Sequence, residues 1–328
     1  LIKEKCATNQ QINSITNIKE NFNPYYIYYW FKGKKDFLFK QASITRTPIL
    51  KKSDFSKIMI NVPEKKYQDN IAKALSILDA KIELNNRINR ELEVMAKTLY
   101  DYWFVQFDFP HVNGKPYKSS GGTMVYNEEL KREIPVGWEI KKLWNIEKNI
   151  ITGKTPPKEK KDYFDGNIPF ITIGDIRGNM HIVKTEETLS ESGADYQKNK
   201  YINKGSICVS CIASPGLVGF ATELSQTNQQ INTIECEKEE NKYYLYFAIK
   251  DFFIASKAKT GNTFPNMNKG DFSAIKLLNP DSDNLDKFKN IVKPIFDKIF
   301  NNSQQSQHLT QLRDFLLPML MNGQVSVK

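Results

Sequence analysis

The sequence predicts an α+β protein in which globular units with mixed sheet and short helices are joined by two long antiparallel helices forming a coiled coil. Three observations carry this. The chain repeats itself at an offset of 219 to 217 residues; a long apolar stripe at helical spacing follows each copy; and short β-prone runs bounded by Gly, Pro or Asp lie between the stripes.

The repeat is ordered. Thr8-Asn9-Gln10-Gln11-Ile12-Asn13-Ser14-Ile15 recurs as Thr227-Asn228-Gln229-Gln230-Ile231-Asn232-Thr233-Ile234, differing only by Ser for Thr. Tyr25-Tyr26-Ile27-Tyr28-Tyr29 recurs as Tyr243-Tyr244-Leu245-Tyr246-Phe247, and Pro48, Lys52, Asp54 and Phe55 recur as Pro265, Lys269, Asp271 and Phe272. The octapeptide reads as a turn of hydrogen-bonded amides entering a strand. The first copy matches only residues from about 220 onward. Residues 1–63 are therefore expected to be the back portion of a first unit, with roughly 110 further residues ahead of it in the complete protein.

In the first stripe Ile71, Leu75, Leu78, Ile82, Leu92, Met95, Leu99 and Tyr102 recur by threes and fours. No Pro or Gly interrupts residues 67–104, so the helix would be roughly 57 Å long at the standard rise. In the second, Phe288, Val292, Ile295, Ile299, Leu309, Leu312, Leu316 and Met319 fall 217 residues later. Such a face needs a partner, and the obvious one is its own repeat. Asn85, Asn86 and Asn89, and Asn301, Asn302 and Ser303, interrupt the stripes midway, as polar residues that fix register do. The expected divisions are 1–63, 64–107, 108–281 and 282–328. Within 108–281, Ile168–Ile173, Ser206–Ile212 and Leu217–Thr222 read as strands, and Asn241–Ala255 as a helix.

Composition narrows the function classes. The 328 residues carry 47 basic and 37 acidic side chains, a net charge of +10 that suits a polyanionic partner. No run approaches a membrane span, and Leu1 to Gln11 does not read as a signal peptide. Cys6, Cys208, Cys211 and Cys236 form no disulfide framework, which suits a cytoplasmic protein.

The order of unit, long helix, unit, long helix resembles the specificity subunit of type I restriction-modification systems. Gly153-Lys154-Thr155-Pro156 and Ile168-Pro169-Phe170-Ile171-Thr172-Ile173-Gly174-Asp175-Ile176 look like the start of that family's target recognition domain. Asp79-Ala80-Lys81-Ile82-Glu83-Leu84-Asn85-Asn86 is similar to its central helix, and Arg313-Asp314-Phe315-Leu316-Leu317-Pro318-Met319-Leu320-Met321-Asn322-Gly323 to its C-terminal ending. The resemblance implies a non-catalytic subunit whose two recognition domains each read half of a split double-stranded DNA site. Its helices would space those domains and dock methyltransferase subunits, which restriction subunits join. A coiled-coil scaffold binding only proteins is the alternative.

DNA recognition asks for phosphate donors and base-reading side chains on loops. Residues 31–52 supply Lys34, Lys35, Arg46 and Lys52, among other lysines. Residues 154–161 form a Pro-containing loop with Lys154, Thr155, Lys158, Lys160 and Lys161, and Arg177 follows the next strand. Residues 257–270, read as a loop, supply Lys257, Lys259, Thr260, Asn262, Asn266, Asn268 and Lys269.

Catalytic signatures are missing. Gly153-Lys154-Thr155 mimics the end of a P-loop, but Lys148 stands where the upstream Gly belongs, and Pro156-Pro157 cannot continue the needed helix. Asn23-Pro24-Tyr25-Tyr26 lacks the second Pro of an adenine-methyltransferase motif. Cys208 and Cys211 would point to opposite faces of a strand, so neither zinc nor another cofactor is expected.

Overall fold

A computed structural model describes residues 5–42, 48–260 and 266–327, without the side chains of Lys259 and Thr260. The chain divides into two compact units, residues 1–86 with 305–328, and residues 87–304. Both long helices, Lys65–Tyr100 and Ser282–Met321, contribute to both units. The mixed α+β architecture and the packing of the two long helices on each other follow the expectation.

In the first unit, Asn23 opens the helix Pro24–Lys32 by accepting hydrogen bonds from the backbone of Tyr25 and Tyr26 at 2.8 and 3.1 Å. That helix buries Tyr26 and Tyr29 against Ile71, Ala72, Leu75, Leu317 and Leu320. Asn23 is thus a cap, and of the two tyrosines that follow Pro24, expected in the core from their match to Tyr243 and Tyr244, Tyr26 is buried while Tyr25 is exposed. Asp79 anchors the packing, accepting hydrogen bonds from the Tyr29 hydroxyl at 2.7 Å and from Arg313 at 2.6 Å. Burial opposes its charge, yet those two bonds hold its carboxyl below the usual range. Farther along, Asn85 donates to Gln305 at 2.8 Å and to Ser306 at 3.3 Å. Residue 79 meets 313 and residue 85 meets 305–306, so the helices run antiparallel.

The second unit continues that pairing. Asn89 donates to Ser303 at 3.2 Å and accepts from Asn302 at 2.9 Å. These are the expected register residues, whereas Asn86 and Asn301 face solvent. The stripe itself needs correction. Met95, Tyr102 and Leu312 are 47%, 39% and 45% exposed, while Ala96, Tyr100, Trp103, Leu317 and Leu320 are buried. In its C-terminal half each helix buries an arc about one residue further round. The first helix does so because it also packs on a globular core. Tyr100 lies 5.9 Å from Tyr244 and 5.3 Å from Phe247, and Phe104 lies 4.9 Å from Phe288. Asp101–Val105 then widen into a π-helical turn, closed by Gln106 N–H on the Asp101 carbonyl at 2.8 Å.

A five-stranded sheet, in the order 150–152, 231–234, 207–210, 218–221 and 181–182, forms the body of this unit. Its pairs are antiparallel except the last. The expected strands at 206–212 and 217–222 are here, and Phe164–Ile171 lies in a separate three-stranded sheet with Gln226–Thr227 and Glu187–Leu189. The two faces of the central sheet meet different cores. Cys208 packs with Ile171, Ile182, Ile202 and Ile231, and Cys211 with the large aromatic cluster. Burial raises their thiols to about 12 and about 11. The helix Glu239–Thr260 covers the aromatic face.

The octapeptide turn recurs, but its strand does not. Ile231–Ile234 is paired between residues 150–152 and 207–210 and fully buried. Among the described residues, 12–15 have no strand partner, and Ile12 and Ile15 are exposed.

Phe288→Ala should destabilise the second unit by about 3–5 kcal/mol and Met95→Ala by under about 0.5 kcal/mol, read by urea unfolding with Trp103 and Trp138 as reporters. Equal effects would contradict the revised stripe.

His181 gives a pH prediction. Its ring lies 5.4 Å from Phe220 and 5.3 Å from Phe300, and burial drives its pKa from 6.5 down to about 4. A depressed value means that the neutral form is favoured by folding. Stability is therefore full above pH 6.5 and is lost as pH falls from 6.5 towards 4, by on the order of 3 kcal/mol. His181→Leu should flatten that part of the stability–pH curve.

Candidate nucleic-acid interface

The site is assembled by strand order, which differs from sequence order. The pairings Asn232 with Thr152, Ile231 with Ser210 and Val209 with Val218 bring three connections to one end of the sheet. These are residues 153–161, 211–217 and 228–230. Strand 181–182 runs parallel to 218–221, so the approach to it through Arg177 lies at the same end.

Hydrogen bonds tie these connections together. Gly153 N–H bonds the Ile231 carbonyl at 3.1 Å and Lys154 N–H the Thr227 carbonyl at 2.9 Å. Cys211 N–H bonds the Gln230 carbonyl at 2.8 Å, and Met267 N–H bonds the Cys211 carbonyl at 3.0 Å. Thr155 Oγ1 donates to Gln229 Oε1 at 2.6 Å, and Arg177 Nη2 to Ser214 Oγ at 3.3 Å. Lys154, Thr155, Arg177, Asn266 and Asn268 therefore share one end of the unit. A Cβ at Gly153 would stand 2.2 Å from the Asn228 carbonyl oxygen and from Thr227 Oγ1, so only glycine allows the loop to lie this close to the turn.

Beyond Pro156 and Pro157 the loop continues as expected, with Lys158, Lys160 and Lys161 exposed. It leads to an aromatic pair, Tyr163 and Tyr196, with ring centroids 5.4 Å apart. The ammonium of Lys160 sits 4.9 Å from the Tyr163 centroid and that of Lys154 sits 5.5 Å from the Tyr196 centroid. Lys160 also donates to the Tyr163 hydroxyl at 3.0 Å, which raises its pKa. Lys158 reaches Glu187 at 3.4 Å across the surface. Tyr163, Tyr196, Ser214 and Gln229 are the neighbours that sequence reasoning missed. Of these only Gln229 carried a signal, its place in the repeat.

The stretch 257–270 is not one loop. The helix Glu239–Thr260 extends through Lys257 and the backbone of Lys259 and Thr260, because the chain from 241 to 260 has no Gly or Pro to stop it. Lys257 is exposed on its last turns, and the side chains of Lys259 and Thr260 lie outside the described residues, as does Asn262. Asn268 caps a short helix, Lys269–Ser273, by accepting from Asp271 N–H at 3.0 Å, so its carbonyl oxygen is committed. Lys269 is exposed at the first helical position.

In the first unit, Lys52 opens the helix Lys52–Phe55, the counterpart of Lys269–Ser273. Lys34 and Lys35 stand at the start of the helix Lys35–Gln41. Lys35 and Lys52 are exposed and Lys34 is half-buried, while Arg46 lies outside the described residues. Lys32, in the same basic stretch, is instead directed to Asp79 at 3.8 Å.

The family model for the type I restriction modification DNA specificity domain matches residues 1–94 and 135–311. The chain belongs to this family of specificity subunits. It is 34% identical over 322 residues to the type I restriction enzyme HindI specificity subunit of Haemophilus influenzae, an alignment covering 82% of this chain and 70% of that protein. It is 29% identical over 340 residues to the MjaIX specificity subunit of Methanocaldococcus jannaschii, covering all of this chain and 75% of that one. The crystal structure of the type I restriction-modification S subunit from M. genitalium shares the fold, with a TM-score of 0.52 at 19% identity over 92% of this chain and 73% of that one. Specificity subunits are the non-catalytic, DNA-recognising members of type I restriction-modification complexes. No helix among the described residues is long and apolar enough to cross a membrane.

Gly153→Ala should separate the specificity subunit's 153–161 loop from its 227–231 turn. We expect a stability loss of about 1–3 kcal/mol, from strain and two broken backbone hydrogen bonds, together with faster amide exchange at Lys154. Unchanged exchange at Lys154 would contradict the close approach.

Proposed function

We propose that this specificity subunit reads a bipartite double-stranded DNA target in the cytoplasm as part of a type I restriction-modification complex. Residues 1–63 and 108–281 belong to the two recognition domains, each directed at one half-site. Residues 64–107 and 282–328 are spacer helices that dock methyltransferase subunits, which restriction subunits join. The observation that carries this reading is the basic, amide-rich end of the central sheet, where Lys154, Thr155, Arg177, Asn266 and Asn268 converge on a rigid base. Lysines there supply phosphate contacts, and asparagine and arginine supply donors suited to base edges in the major groove. In the first unit, Lys34, Lys35 and Lys52 have the same part, with Arg46.

Exposed apolar side chains on the helices, among them Ile77, Leu84, Met95, Leu312 and Phe315, favour protein docking along these segments over a purely solvated face. A scaffold that binds only proteins would also have such residues. It would not explain the convergence of cationic loops at the sheet end.

Salt titration of DNA affinity distinguishes the two. In the complex assembled with methyltransferase subunits, Lys154→Ala with Lys160→Ala should flatten the slope of log affinity against log salt by about 2. A wild-type complex with no affinity for duplex DNA would overturn the reading.

A further inference from the structure

The repeated turn contains one residue whose side chain takes no part in the turn's own hydrogen bonds. Asn228 Oδ1 accepts from Gln230 N–H at 3.1 Å, and Asn9 Oδ1 accepts from Gln11 N–H at 3.0 Å. The following isoleucine N–H bonds the asparagine carbonyl at 3.2 Å in both copies. The asparagine is therefore required to make the turn. Gln230 Oε1 in turn receives Asn228 Nδ2 at 3.1 Å, and Ile231 is buried in the sheet. The residue between them is different. Gln10 and Gln229 are both exposed at the tip, and the fold engages Gln229 through its amide oxygen, which accepts from Thr155.

Both copies have glutamine there, within an octapeptide that differs only by Ser for Thr, while exposed positions on the adjoining connection diverge. At the offset of 217, Asn266 stands opposite Ile49 and Asn268 opposite Lys51. Two domains that read different half-sites must differ in the residues that touch bases. A residue shared at equivalent exposed positions fits a ligand feature that is the same at both halves. On DNA that feature is the sugar–phosphate backbone.

We infer that Gln10 and Gln229 are equivalent, sequence-independent grips, each donating its side-chain amide to a phosphate oxygen of its half-site. This rests on the DNA-recognition reading above. The surroundings of Gln229 favour it. Thr155 Oγ1 donates to the amide oxygen at 2.6 Å, and the NH₂ group is the donor of this exposed side chain. Lys154, adjacent to Thr155, has its backbone tied to the turn through Thr227 at 2.9 Å and its ammonium over Tyr196, in the same loop. A neutral donor on a turn bonded to a lysine-bearing loop suits a phosphodiester.

The test uses the complex assembled with methyltransferase subunits. Its probes are a duplex containing the target found by methylome sequencing and a duplex of equal length without it. Gln10→Glu with Gln229→Glu keeps side-chain shape and places two carboxylates against the backbone. Affinity for both duplexes should fall by the same factor, roughly tenfold or more, with their ratio and the Tm unchanged. Gln10→Ala with Gln229→Ala should weaken both equally without changing the salt slope, because a neutral donor displaces no counterion. The inference is overturned by a loss confined to the target duplex, by no loss, or by a loss that tracks a fall in Tm. A wild-type complex that ignores duplex DNA overturns the functional reading too. Wild-type binding matched by the variants removes the grip alone.

Discussion

A helix of 36 residues with one apolar face cannot remain single in water, and that constraint organises the molecule. Each long helix covers the other's face, antiparallel within each unit. The pairing is pinned by amides: Asn85 on Gln305 and Ser306, and Asn89 on Ser303 and Asn302. Such buried amides cost stability compared with leucine. A sliding register would leave them unpaired among apolar side chains, so they penalise every register but one. The globular parts are built outward from this pair, through Tyr26 and Tyr29 in one unit and Tyr244, Phe247 and Phe253 in the other.

The loop-bearing end of the central sheet depends on a second constraint, the burial of polar groups beneath it. Gln197 donates to the Lys154 carbonyl and to Gln226, each at 2.7 Å, and Gln226 donates to the Ala194 carbonyl at 2.8 Å. These residues are almost fully buried, so their bonds form in a low-dielectric setting where breaking one is expensive. The basic loop is thereby anchored from below. In the proposed reading, such rigidity has the loop's donors in place before the DNA arrives.

Much of this was legible in the sequence because it is local or periodic. The repeat, both helices, the midway amides and the main strands all follow from spacing and residue type. The phase shift that buries Ala96 and Trp103 in place of Met95 and Tyr102 was not, because a helical stripe does not say how many surfaces it must serve. The extension of helix Glu239–Thr260 was obscured by lysines and threonine that suit a loop equally well. Of the candidate site, the basic stretches were visible as composition. Their convergence depended on strand order, with 231–234 inserted between 150–152 and 207–210, and no local signal encodes that. The Tyr163–Tyr196 pair joins residues from separate segments and was hidden for the same reason.

The π-helical turn at Asp101–Val105 has a developmental consequence for the chain. A wide turn holds one more residue than an α-helical turn, so it amounts to a single-residue insertion retained in the helix. Downstream of it, Phe107 and Phe109 meet Trp138 at centroid separations of 5.8 and 5.1 Å. Removing one residue there would restore a regular helix while rotating the exit by about 100°. The chain would leave on another bearing, and Phe107 and Phe109 would lose their contacts with Trp138. The direction in which the chain leaves the helix is therefore set by this turn, within a single residue.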